Sequence, residues 1–83
     1  MTEVARAFGV AVRTVRIAAG VSQELLAERA DCDRTYPSLL ERGLRQPTLG
    51  KMIDIARALR VEPVVLLSIT LAKLHKGDTA SGS

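Results

Sequence analysis

The stretch that decides the fold is Ser22-Gln23-Glu24-Leu25-Leu26-Ala27-Glu28-Arg29-Ala30-Asp31-Cys32-Asp33-Arg34-Thr35-Tyr36-Pro37-Ser38-Leu39-Leu40-Glu41-Arg42-Gly43. Ser22 is a preferred N-cap, and Leu26, Ala27 and Ala30 behind it fall on one helical face. Asp31-Cys32 makes a brief turn. Asp33 is placed to cap a second short helix, which ends at Gly43, a residue suited to the left-handed position that follows a helix. Pro37 is the awkward residue, because at the fourth position after Asp33 it removes that helix's first backbone bond.

The pattern on either side is also helical. Upstream, Val4, Phe8, Val12, Val15 and Ala19 recur at four, four, three and four residues, and Gly20 stops the run. Downstream, Pro47-Thr48 opens a helix with Leu49, Met52, Ile55, Ala56 and Leu59 on one stripe. Pro63 then suits the first turn of a last helix, running to about His75. The β-branched run Val64–Leu71 could form a strand, but a lone strand would have no partner among four helices. An all-α domain of five short helices over residues 1–76 is therefore expected, with a flexible tail over 77–83.

Composition limits the chemistry. The chain has 83 residues, 47% hydrophobic, 25% charged and only 2% aromatic, so one small aliphatic core is expected. A single cysteine, Cys32, and a single histidine, His75, exclude an internal disulfide and a Cys/His zinc cluster. Asp31 and Asp33 flank Cys32 and would raise its pKa, which disfavours a reactive thiolate. His75 has no catalytic companion in the sequence. No enzyme, cofactor, metal or small-molecule ligand is expected. There is no apolar run of about 18 residues, and Met1-Thr2-Glu3 begins no signal peptide, so a cytoplasmic protein without a membrane span is predicted.

Charge is segregated within a net +3. Residues 22–33 set Glu24, Glu28, Asp31 and Asp33 against Arg29, whereas residues 34–51 set Arg34, Arg42, Arg45 and Lys51 against Glu41. A basic block of this kind suits an anionic partner, and it suits a solvated surface equally. Projection of residues 34–42 at ~100° per residue puts Arg34, Ser38, Arg42, Thr35 and Leu39 on one side and Leu40 and Pro37 on the other. The polar side offers guanidinium and hydroxyl groups on a rod that fits a DNA major groove, where arginine bonds guanine and threonine meets thymine. The same pattern also fits an ordinary amphipathic helix with a polar outer face.

From Phe8 to Leu67 the sequence resembles the Xre/Cro-like helix-turn-helix family of bacterial and phage DNA-binding regulators, with the lambda-repressor-like fold that this implies. The resemblance lies in Arg13-x-x-Arg16, Gly20-Val21-Ser22-Gln23, Leu26-Ala27, Ala30, Arg34-Thr35-Tyr36-x-Ser38 and Glu41-Arg42-Gly43. It continues in Pro47-Thr48-Leu49, Ile55-Ala56 and Ala58-Leu59. It implies base contacts from Asp33, Arg34, Thr35 and Ser38, with Leu39 a weaker match, and phosphate contacts from Gln23, Tyr36, Arg42 and Arg45. It further implies a partly buried ion pair between Arg16 and Glu41. Asp33 could act as a cap, as an acceptor for cytosine N4, or as both. Pro37 departs from the larger aliphatic residue usual there, and Arg60 stands where glycine, asparagine or aspartate is frequent. A strained helix end or a different turn is expected at Arg60.

The last helix carries more apolar surface than one core uses. Val64, Leu67, Leu71 and Leu74 form one face, read as the inward one. Val65, Ile69 and Ala72 form a second, read as the interface of a homodimer or as packing under residues 1–6. A two-fold dimer would set two recognition helices ~34 Å apart on double-stranded DNA. The competing reading is an antitoxin-like or adaptor module that uses the same fold to bind another protein. Within the DNA-binding class, a compact one-domain dimer resembles phage Cro-like repressors and the controllers of restriction–modification operons.

Overall fold

The computed structural model describes the backbone of residues 2–82 and the side chains of residues 2–75. Its elements are α1 (Glu3–Ala19), α2 (Gln23–Arg29), α3 (Tyr36–Glu41), α4 (Leu49–Ala58) and α5 (Pro63–Gly82), and no strand occurs among the described residues. The expected tail, 77–83, lies outside the described side chains. Val64–Leu71 is helical despite its β-branched residues, because α5 lies along α1 and a helix needs no partner strand for its backbone bonds.

Side-chain oxygens cap three of the helix starts. Thr2 accepts from Ala5 N, Ser22 from Leu25 N and Thr48 from Lys51 N, at 2.9, 3.0 and 3.1 Å. Each of α1 to α4 ends in the same way, with a left-handed residue whose N–H, and that of its successor, turn back onto the last carbonyls. Those residues are Gly20, Asp31, Gly43 and Arg60. Two are not glycines. Arg60 has φ +59°, and its turn is closed by Arg60 N to Arg57 O and Val61 N to Ala56 O, each 3.0 Å. A side chain in this conformation costs ~1–2 kcal/mol, against the greater chain entropy that glycine loses on folding. Arg60→Gly is therefore expected to stabilise the domain by ~0.5–1 kcal/mol and raise Tm by a few degrees. A lower Tm in a thermal scan would mean that the arginine side chain contributes more than its backbone costs.

The core is aliphatic around Phe8, with Val12, Leu26, Leu40, Ile55, Ala56 and Leu66 almost fully buried. α1 runs through its centre, against α5 on one side and α3 on the other. Its buried face is Ala5, Ala7, Phe8, Gly9, Ala11, Val12 and Val15. Val4 and Ala19, expected on that face, are exposed; at the N-terminal end it is Ala5, not Val4, that turns inward. Gly9 is where α1 and α3 meet backbone to backbone: a β-carbon there would fall 2.3 Å from Leu40 O and 2.8 Å from Glu41 O.

Two expectations change in α3 and α5. Regular α3 begins at Tyr36 rather than just after Asp33, and Tyr36 N reaches Asp33 O at 2.9 Å. Pro37 is thus the second helical residue, where its missing N–H costs nothing, and its ring is fully buried. In α5 the inward residues are Leu66 and Thr70, with Ile69 half-buried against the core. The Thr70 hydroxyl is satisfied by donating to Leu66 O at 2.9 Å. Val64, Leu67 and Leu71, expected inward, are exposed, while Ile69, expected at a dimer interface, packs against its own chain. The inward side, at Leu66 and Thr70, lies between the two faces that the spacing marked, because its direction is set by where α1 and α4 pack.

Candidate nucleic-acid interface

The outward side of α3 and the start of α2 form one shallow polar cleft lined by Gln23, Glu24, Arg34, Thr35, Ser38, Leu39 and Arg42. Arg34, Thr35 and Arg42 are exposed, Ser38 and Leu39 half-exposed, and Leu40 and Pro37 are buried behind them. Helical geometry thus divides this segment as its projection does.

Asp33 shapes the entry to α3. Its Oδ1 accepts from Thr35 N at 2.9 Å and from Thr35 Oγ1 at 2.7 Å, a local turn that aims Thr35 along the cleft. The Thr35 hydroxyl, and then its N–H, hold the Asp33 carboxyl below its ordinary pKa. A folded-state pKa lowered in this way stabilises the turn above the usual carboxylate range. That contribution is lost as pH falls through the lowered value.

A buried cluster behind the cleft clamps α3 to α1. Arg16 Nε donates to Glu41 Oε2 at 2.6 Å, and Arg16 Nη2 to Oε1 at 3.1 Å. Arg16 Nη1 donates to Val21 O at 2.9 Å, and the Gln23 amide to Glu41 Oε1 at 3.1 Å. The Arg16 and Glu41 side chains retain 14% and 4% of their exposure. Gln23 therefore spans the scaffold and the cleft. At the far end Arg29 Nη1 donates to Ala58 O at 3.2 Å, fastening α2 to the end of α4.

Tyr36 is half-buried beside the loop that carries Arg45, and burial raises its phenol pKa. Lys51 Nζ stands 6.0 Å from the Tyr36 ring centroid, which places a cation beside this ring. Thr2 Oγ1 donates to Gln46 Oε1 at 2.8 Å and steadies the same loop from α1. Burial raises the Cys32 thiol pKa; Lys51 opposes this, and Asp33 and Asp31 reinforce it. Among the described residues no His, Cys, Asp and Glu cluster suits a metal ion, and no helix is long and apolar enough to cross a membrane.

Among the contacts the sequence reading missed are Lys51 over Tyr36 and an ion pair of 2.6 Å between Arg34 Nη2 and Glu24 Oε1, whose side chains are 78% and 71% exposed. Ten residues and a turn separate the partners of the ion pair, so no periodicity marks it.

The profile of the family described as a helix-turn-helix domain matches residues 7–68, three quarters of the chain. The chain belongs to the Xre/Cro-like helix-turn-helix family. It is a DNA-binding helix-turn-helix protein of the transcription-regulator class. It is 44% identical over 64 residues to control protein C.BamHI of Bacillus amyloliquefaciens, covering 76% of this chain and 79% of that protein. It is 46% identical over 55 residues to an HTH-type transcriptional regulator of Mycobacterium tuberculosis, covering 66% of this chain but only 39% of that longer protein. Among solved structures it resembles the restriction-modification controller protein C.Esp1396I, crystallised as a tetramer in complex with its natural 35 base-pair operator. The TM-score there is 0.81 at 27% identity, over 88% of this chain and 96% of that one. The helix-turn-helix chain therefore shares its five-helix architecture with an operator-binding controller.

Proposed function

We propose that this chain is a cytoplasmic, sequence-specific regulator of transcription that binds a palindromic operator in double-stranded DNA as a homodimer, and that it has no enzymatic activity. The observation that carries the reading is the cleft in which Arg34, Thr35, Ser38, Leu39 and Arg42 converge with Gln23, on a helix held from behind by Arg16 and Glu41. In this reading Arg34, Thr35 and Ser38 read base edges, with Leu39 in apolar contact and Asp33 orienting Thr35. Gln23, Tyr36, Arg42 and Arg45 hold phosphates. Phosphate contacts give salt-dependent affinity, and base contacts give the preference.

Arg34→Ala is expected to cost ~1–3 kcal/mol on the preferred site and to relax specificity at one base pair. Arg45→Ala should weaken every duplex alike and lower the salt slope by about one. Equal losses on selected and random duplex for both variants would sink the base-reading assignment.

The dimer surface is assigned to a different side of α5 from the one its spacing suggested. Leu49, Val64 and Leu67 are 70%, 67% and 48% exposed, and with Met52 and Ile53 they edge an apolar groove between α4 and α5; Leu71, 54% exposed, follows one turn after Leu67 on α5. A contiguous apolar strip on so small a domain suits a second copy of the chain, in keeping with the tetrameric state of C.Esp1396I on its operator. Val65 and Ala72, exposed on the opposite flank, are left to the rim or to solvent. Leu67→Glu is expected to halve the mass in sedimentation equilibrium while leaving the helical circular dichroism unchanged. An unchanged mass would remove α5 from the interface.

A further inference from the structure

We infer that Glu24 is a specificity-determining residue that holds Arg34 for a base and withholds it from phosphates. The inference rests on the reading of Arg34 as a base contact. Glu24 lies in the first turn of α2, inside the same cleft as Gln23, Thr35 and Arg42, so its carboxylate faces the surface that meets DNA. It reaches Arg34 through Nη2 alone, at 2.6 Å, which leaves the rest of the guanidinium fork free. A guanidinium carries five donors in a fixed plane, enough to keep one carboxylate contact and still bond guanine O6 and N7.

The two kinds of DNA contact then differ in what becomes of Glu24. Guanine carries no net charge, so Arg34 continues to neutralise the carboxylate while it reads the base. A phosphate instead competes with the carboxylate for the one positive charge and brings a second anion beside Glu24, where like charges are strongly disfavoured. Exposed pairs of this kind add little to folding, so the effect belongs to binding.

The test measures wild type and Glu24→Gln on a site selected from random duplex and on the random pool, across a salt series. Binding to random duplex should rise about three- to ten-fold in Glu24→Gln, with a salt slope steeper by about one. Affinity for the selected site should change less than about two-fold, so the ratio of the two falls. In an Arg34→Ala background the same replacement should raise both affinities alike. A ratio unchanged by Glu24→Gln overturns the inference, as does a ratio change that persists without Arg34. A wild-type protein with no preferred site would instead overturn the functional reading beneath it.

Discussion

Gly9→Ala is expected to destabilise the domain by ~3 kcal/mol or more, although the same change in an exposed helix stabilises by up to ~1 kcal/mol. The new β-carbon would sit 2.3 Å from Leu40 O and 2.8 Å from Glu41 O. Both are backbone atoms, so no rotamer change relieves the contact, and α1 and α3 must separate. Separation opens the core around Phe8, Val12 and Leu40, where packing is close to crystalline and overpacking costs ~1–3 kcal/mol before any loss of neighbouring contacts. A domain of this length has ~4–12 kcal/mol of total stability, so the variant should lie near its folding threshold. Urea titration would show a lower midpoint at an unchanged m value. A higher midpoint would mean that helix propensity wins and that the two backbones are not in contact. DNA affinity should fall as well, because α3 is the element displaced.

Glu41→Ala is expected to cost ~3–5 kcal/mol, the penalty of leaving a buried charge without its partner. Arg16 would keep one bond, to Val21 O, and lose both carboxylate contacts, and the Gln23 amide would lose its acceptor. For a domain of this size, 3 kcal/mol corresponds to a fall in Tm of at least ~12 °C. Replacing both partners by apolar residues of similar shape, as in Arg16→Met with Glu41→Leu, should recover most of the loss. A buried pair is costly to break and only weakly favourable to have. A loss below 1 kcal/mol for the single variant would mean that water reaches Arg16 and the clamp on α3 is loose. Because Gln23 shares the cluster, the pair also links the scaffold to a candidate phosphate contact.

Much of the helical layout was legible because its signals are local. Gly20 and Gly43 end helices by adopting the left-handed conformation that glycine enters without strain, and Ser22 and Thr48 begin them with a hydroxyl on a free N–H. The division of α3 into a buried side with Pro37 and Leu40 and an open side with Arg34 and Thr35 follows from 3.6 residues per turn alone. Regular α3 starts later than expected because Asp33 turns onto Thr35 rather than directly entering the helix. Local chemistry also explains Arg60, whose left-handed turn its position suggested and its residue type resists.

What escaped the sequence depends on which elements meet. Gly9 looks like a weak spot in α1 until α3 is laid across it. Val64, Leu67 and Leu71 form a regular stripe of the kind that usually faces a core, and they face out because α1 takes the side of α5 that carries Leu66 and Thr70. Glu24 and Arg34 belong to blocks of opposite charge whose segregation is plain in the chain, yet their contact exists only because the turn folds α3 back over the start of α2. By itself the sequence determined where helices start and stop, which side of α3 is polar, and that the basic block follows the acidic one, since neighbouring residues settle these matters. Only the tertiary structure decided which apolar face of α5 stays exposed, which glycine permits two helices to touch, and which carboxylate holds Arg34 in the cleft. Each of these depends on which elements pack against one another, and periodicity carries no information about which surfaces come together.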